Sequence, residues 1–198
     1  MPRPELHSTD SILDAARGVV LDAGLGAATI AAIADSSGAP VGSIYHRFGS
    51  VDDLLTEMWI RAVRRSQDTF AAAAEQADPI EAAVGAALSV YDFCVQHPAD
   101  GRLLLSYRPE DLAGRRIDPK QRAELARLNE PVGAIVKDLA RRIYGRASRQ
   151  SLDRVLMAVF DVPHGAVRRP LTNGETLSPQ RRDAVEAAVR AVLANAGG

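Results

Sequence analysis

Ile12, Leu13, Ala16, Val19, Val20 and Ala23 recur at i, i+1, i+4, i+7, i+8 and i+11, the stripe of a 3.6-residue helix that Gly24 ends. Thr29 then caps a short apolar segment, Ile30 to Ser37, and a second short segment runs from Pro40 to Phe48. Ser50, with Asp53 three residues on, has the form of a capping box. It opens a long helix carrying Leu54, Leu55, Met58, Ala62 and Val63 and reaching as far as Gln76. Asp78-Pro79, Asp118-Pro119 and Ser178-Pro179 repeat one start signal, a capping side chain followed by proline. The first opens a helix with Val84, Leu88, Tyr91 and Val95 that runs to His97-Pro98. The second carries Leu125, Leu128, Val132, Ile135, Leu139 and Ile143 and ends at Gly145; the third carries Val185, Ala188, Val189, Val192 and Leu193. Ser148 starts one more, with Leu152, Val155, Leu156, Val159 and Phe160. Pro163 is expected to kink or end that helix, and Pro131 to bend its own and free the carbonyl of Arg127. There is no convincing period-2 run, and Asn173-Gly174 falls between helical segments rather than between strands. The fold class predicted is all-α, with about nine helices.

Residues 29 to 55 spell helix, tight turn, helix. Two short helices that cross steeply need a small residue at their contact and one tolerant of positive φ in the turn, which Ala34 and Gly38 supply. Ile33 and Ile44 are expected to face the first helix. The segment from Pro40 to Phe48 is too short to be stable alone, so its worth lies in what its exposed face touches. That face carries Val41, Gly42, Ser43, Tyr45, His46 and Arg47. Pro40, Val41 and Gly42 keep bulk away from the helix start, which suits approach to base edges in a groove about 12 Å wide. Hydroxyl and imidazole donors suit phosphates. An ordinary helical hairpin satisfies the same spacing.

The stretch TIAAIADSSGAPVGSIYHRFGSVDDLL, Thr29 to Leu55, resembles the N-terminal signature of the TetR family of transcriptional regulators. Thr29, Ile33, Ala34, Gly38, Gly42, Ser43, Ile44, Tyr45, Phe48, Ser50 and Leu54 fall in register with it. The resemblance implies a homodimer whose helix-turn-helix head, residues 1–50, binds DNA and whose helical body, residues 51–198, binds a small-molecule effector. It also implies that the last two long helices pack across the two-fold axis as a four-helix bundle. Tyr45 and His46 would then bind phosphate, with Arg47 beside them, and Ser43 and Val41 would face base edges. Pro40 and Gly42 would shape the approach, and Thr29 would bind the DNA backbone. The implied partner is an operator, palindromic because the dimer is two-fold. Two positions depart from the family pattern: Val51 stands where Lys is usual, and Ala31 where a basic residue is frequent.

Charge complicates the picture. The 198 residues carry 24 Lys and Arg against 25 Asp and Glu, whereas nucleic-acid binders normally show a basic excess. Residues 1–60 hold three Arg against eight acids, a net −5, and the remainder is +4. Specific binding must therefore come from a few contacts rather than a general field. A dimeric helical small-molecule binder with weak or lost DNA binding is the alternative function. Arg outnumbers Lys 22 to 2, which reflects composition and not phosphate recognition.

In the body, polar tips on apolar faces mark Trp59, Tyr91, Cys94, His97, Tyr107, Met157, Phe160 and His164 as candidates to line a ligand pocket, with core packing as the plainer role. Cys94 has no adjacent base and is expected to be inert. Asp161 and His164, at i and i+3, suit a polar pair or dimer contact better than a metal, for want of a third ligand. Arg102, Arg108, Arg115, Arg116, Arg122 and Arg127 border a Pro- and Gly-containing connection; a solvated surface is the default for such a run, an anion site the alternative. No phosphate loop, nucleophile elbow or HExxH appears, so no enzyme, cofactor or metal is expected. The longest run without Asp, Glu, Lys or Arg, Ala23 to Ala34, is twelve residues, too short to span a bilayer, and with Arg3, Glu5, His7 and Asp10 standing where a signal peptide needs an apolar run, none is expected. The expected location is the cytoplasm.

Overall fold

The cap signals are realised in the computed structural model, which describes residues 7–108, 111 and 118–194. Helix α1 spans Thr9–Ala23, α2 Ile30–Ser37, α3 Val41–Phe48 and α4 Val51–Ala74. Next come α5 (Pro79–Gln96), α6 (Pro98–Ser106), α7 (Pro119–Arg127) and α8 (Glu130–Tyr144). The chain ends with α9 (Arg149–Leu156), a π segment (Met157–Asp161), α10 (Val162–Thr172) and α11 (Pro179–Ala194). No strand occurs among the described residues, so the class is all-α. Thr29 Oγ1 accepts from Ala32 N at 3.1 Å, Asp78 Oδ1 from Ile80 N and Glu81 N at 2.8 and 2.9 Å, and Ser148 Oγ from Ser151 N at 3.2 Å. Each bond satisfies a donor that the first helical turn leaves orphaned.

Two prolines act differently from expectation. The apolar pattern from Leu125 to Ile143 is two helices, because α7 stops at Arg127 and Pro131 lies in the first turn of α8, where its missing N–H costs nothing. The Gln67 amide donates to Leu128 O at 2.8 Å and so satisfies a carbonyl at the break. Pro163 does not end its helix. A proline ring clashes with the carbonyl four residues back, and the chain relieves this by widening to π spacing just before it, Val162 N bonding Met157 O. Residues 149–172 thus continue as helix through both Pro163 and Pro170.

The chain divides into two compact units. The first comprises Met1–Ala62 and Leu103–Arg127, the second Val63–Arg102 and Leu128–Gly198. In the first, α1 packs on α2 and α2 on α3, around Ile12, Leu13, Ile33, Ile44, Leu54, Leu55 and Met58, all fully buried. Arg61 Nη1 meets Asp10 Oδ1 at 2.6 Å and its Nη2 meets Asp14 Oδ1 at 2.5 Å, closing α4 onto α1. In the second, α5 is the central helix, with α8, the π segment, α10 and α11 packed against it. Its many alanines allow that close approach: a Cβ at Gly85 would stand 2.8 Å from Ala73 O. Antiparallel to it, α11 is fixed by Arg182–Asp92 at 2.7 Å and Arg190–Glu81 at 2.6 Å. These are forked arginine–carboxylate pairs, each with a second bond.

Candidate nucleic-acid interface

The turn between α2 and α3 is set by Gly38, at φ +71° and ψ 2°, a left-handed conformation that residues with a Cβ adopt at a cost. Ser37 Oγ accepts from Ala39 N at 3.2 Å and donates to Ala34 O, holding the corner. Ala39 is buried there, and Pro40 starts α3 without a side-chain cap. The first-turn N–H groups therefore point out of the helix end, where a phosphate is their natural partner.

Helix α3 has two distinct sides. Ile44 is 0% exposed, whereas Val41 is 45% and Tyr45 52% exposed. Gly42 and His46 are exposed as well, and Ser43 and Arg47 are half-buried. An eight-residue helix that turns two large apolar residues outward has no folding reason to do so. Thr29, also exposed, spends one lone pair on the α2 cap and keeps its hydroxyl proton for an outside acceptor. At the far end of α3, Ser50 Oγ accepts from Asp53 N at 3.1 Å and donates to Asp53 Oδ2 at 2.6 Å. Asp53 Oδ1 in turn accepts from Asp118 N at 2.8 Å, and its backbone O from Gln121 Nε2 at 3.2 Å. Ser50 thus caps α4, and the Asp53 carboxylate orients that hydroxyl and anchors the start of α7.

Folding also changes the charge arithmetic. The unit that contains the head draws in residues from 103 to 127, and among its described residues seven Lys and Arg stand against ten Asp and Glu. The −5 counted along residues 1–60 becomes −3 over the described residues of this unit. Within it Asp10 and Asp14 are held by Arg61, and Asp14 also by Arg17 at 3.2 Å. Arg3, Arg115 and Arg116 lie outside the described residues.

The candidate ligand residues are dispersed. Trp59, buried, belongs to the head's unit, and its Nε1 has no acceptor among the described residues. Tyr107 is in the same unit and donates to Val20 O at 3.3 Å. In the other unit Tyr91 is buried and donates to Ser178 O at 2.8 Å, and the His97 ring lies 5.2 Å from Phe93. Met157 borders an open groove of about 570 Å³ with Arg154 and Val192. Cys94 lines a different cavity, about 440 Å³, and burial pushes its thiol up to about 12.

Phe160 stacks on Phe70 at 5.0 Å and on His164 at 5.8 Å. Burial, with help from the Arg168 charge and against that of Asp161, lowers the His164 pKa below its ordinary 6.5. The folded protein then binds fewer protons than the unfolded chain between the lowered value and about 6.5, so stability falls as pH drops through that window. Denaturant midpoints at pH 7.5 and about 5.5 are expected to differ less in His164→Gln than in the wild type. An equal difference in both would remove His164 as the cause.

Residues 12–58 match the model of the bacterial regulatory proteins of the tetR family. No curated protein matches the sequence significantly. Solved structures share the fold over nearly the full chain. A TetR-like transcriptional regulator from Rhodococcus sp. RHA1 is 19% identical, with 94% of this chain and 93% of that one covered at a TM-score of 0.68. The TetR family regulator PfmR from Thermus thermophilus is 18% identical, with coverage of 94% and 96% and a TM-score of 0.71. The ketosteroid transcriptional regulator KstR2 of Mycobacterium tuberculosis is 17% identical, with coverage of 93% and 92% and a TM-score of 0.68. Among the described residues no helix is long and apolar enough to cross a membrane. Residues 12–58 thus carry the helix-turn-helix signature of the tetR family of bacterial regulatory proteins, and the chain as a whole shares the fold of solved TetR-family regulators.

Proposed function

We propose that the chain is a homodimeric repressor that binds a palindromic operator through α3 and is released from it by a small molecule. The observation that carries this reading is the two-sidedness of α3, with Ile44 inside and Val41, Gly42, Tyr45 and His46 outside. In this reading Val41 and Ser43 meet base edges, Tyr45, His46, Arg47 and Thr29 meet phosphates, and Pro40 and Gly42 let the helix start come close. Residues 1–50 read DNA, and residues 51–198 take up the effector and dimerise. Exposed Leu156 and Met157, on and beside α9, with Val192 of α11 bordering the same groove as Met157, support a two-fold helical bundle as the dimer contact.

Two recognition helices must lie one duplex turn apart, about 34–36 Å, to engage both half-sites. An effector that favours a dimer with another spacing lowers operator affinity by its differential binding to the two states. Helix α4 contributes residues to both units and is the covalent route for that change.

A gel shift on the DNA flanking the protein's own gene tests the reading. Binding is expected at about 50 mM salt, with a shallow salt dependence. Val51 and Ala31 each omit a phosphate or base partner, and each lost phosphate contact reduces the slope by about one per head. Failure to bind any such DNA at that salt overturns the proposal.

A further inference from the structure

We propose that the cavity between the α5–α6 turn and the α10–α11 connection is the effector site, and that it takes an amphipathic monocarboxylate whose head group is held by Arg102. The regulatory half of this statement rests on the effector reading above; the binding half stands on the cavity itself. At about 440 Å³ the cavity falls within the usual range for small-molecule sites. Its walls are apolar: Val95 and Cys94 from the end of α5, Leu171 and Leu177 from the other side. Val95, on the wall of the cavity, is 50% exposed although most of α5 is buried. The Cys94 thiol is kept protonated by burial and serves as part of the apolar wall.

Two charged side chains face this space, Arg102 and Glu175. They form no ion pair with each other, and each has a different status. Glu175 is committed to the connection: its carboxylate accepts from Asn173 Nδ2 at 3.0 Å, and its N–H bonds Pro170 O at 2.8 Å. Arg102 has no ion pair among the described residues. The acid nearest in sequence, Asp100, is 1% exposed and bonded to Arg65 at 3.3 Å. The fold fixes Arg102 in place through Gly101, where a Cβ would stand 2.9 Å from Cys94 Sγ, so the start of α6 lies directly against the end of α5. A planar guanidinium with no carboxylate partner among the described residues, set beside apolar walls, is the half of a forked bond that a carboxylate completes. Glu175 sets the charge limit, because a second negative group at the far end of the ligand meets a fixed carboxylate.

The test is calorimetric titration of the full-length protein with three probes of equal chain length: octanoate, octan-1-ol and octanedioate. Saturable binding of octanoate is expected, with octan-1-ol and octanedioate each at least tenfold weaker. Arg102→Gln is expected to weaken octanoate tenfold or more while leaving the thermal midpoint unchanged. Val95→Asp, an exposed position on the wall, is expected to abolish it by like-charge repulsion. No saturable octanoate binding, equal binding of the alcohol, or binding that survives both substitutions overturns the site. Operator release is scored separately in a gel shift with and without octanoate. Octanoate binding that depends on Arg102 but leaves operator affinity unchanged retains the site and defeats its role as effector.

Discussion

Gly42→Glu is expected to abolish operator binding while leaving the protein as stable as the wild type or slightly more so. The two effects have opposite signs because the same position meets two different environments. In the folded chain, a Cβ at Gly42 finds no atom within 4 Å, and the residue is exposed. Replacing a helical glycine also gains about 1 kcal/mol of helix propensity. A carboxylate in the first turn of α3 adds about 0.3–1 kcal/mol through the helix dipole, which Pro40 leaves uncapped by any side chain. Against DNA the same carboxylate stands at the helix end that must approach the phosphates and base edges. The loss is then several contacts at about 1–3 kcal/mol each, incurred at both half-sites of a dimer. A fall in affinity of roughly a hundredfold or more is expected in a gel shift. Thermal unfolding measured alongside should not decline, and Gly42→Ala should keep most of the binding. If Gly42→Glu binds the operator as the wild type does, α3 is not the reading helix.

The contrast with Gly38 shows how far residue type alone carries this site. Both glycines fall in the family's register, yet only Gly38, at φ +71°, is required by backbone conformation. Gly42 is free of any such demand, so its lack of a side chain is a statement about something outside the chain. The helix caps, the corner at Gly38 and the sidedness of α3 were legible because each is a local matter of spacing and hydrogen-bonding chemistry. Charge was legible only as a linear count, which overstates the acidity of the folded unit. Counting along residues 1–60 stops one residue short of Arg61, which holds Asp10 and Asp14, and omits the basic stretch that the fold returns to the same unit.

The cavity at Arg102 was beyond the reach of pattern. Val95, Leu171 and Leu177 are ordinary apolar residues in helical or loop positions, and Arg102 is one of several arginines in a run whose default reading is a solvated surface, with an anion site only as the alternative. What singles them out is an absence created by tertiary structure: the acid nearest in sequence is already taken by Arg65. Aromatic and polar-tipped residues drew attention instead, and several of these are satisfied by the fold. Tyr91 and Tyr107 both donate to backbone carbonyls. The π segment is a similar case, since Pro163 signals a disturbance but not that the helix will absorb it by widening.

That disturbance leads to the largest expected loss of stability. Phe70 is among the largest fully buried side chains, and its ring stacks on Phe160 of the π segment at 5.0 Å with 14° between planes. A π turn is held by its packing, because its hydrogen bonds are no better than those of the helix it interrupts. Phe70→Ala removes the ring from one face of that turn and leaves a cavity that neighbouring helices cannot fill without moving. The expected cost is about 3–5 kcal/mol, a drop in the thermal midpoint on the order of 10 °C for a chain of this size. Phe70→Leu, which keeps much of the volume, should lose far less. The change also has a signature beyond stability. Phe160 carries the stack onward to His164, whose pKa is lowered chiefly by burial. Water admitted where Phe70 stood must let that pKa rise toward 6.5, so the acid-side loss of stability attributed to His164 should shrink in Phe70→Ala. A variant that unfolds earlier but keeps the full pH dependence would show that the stack packs the π turn without shielding the imidazole.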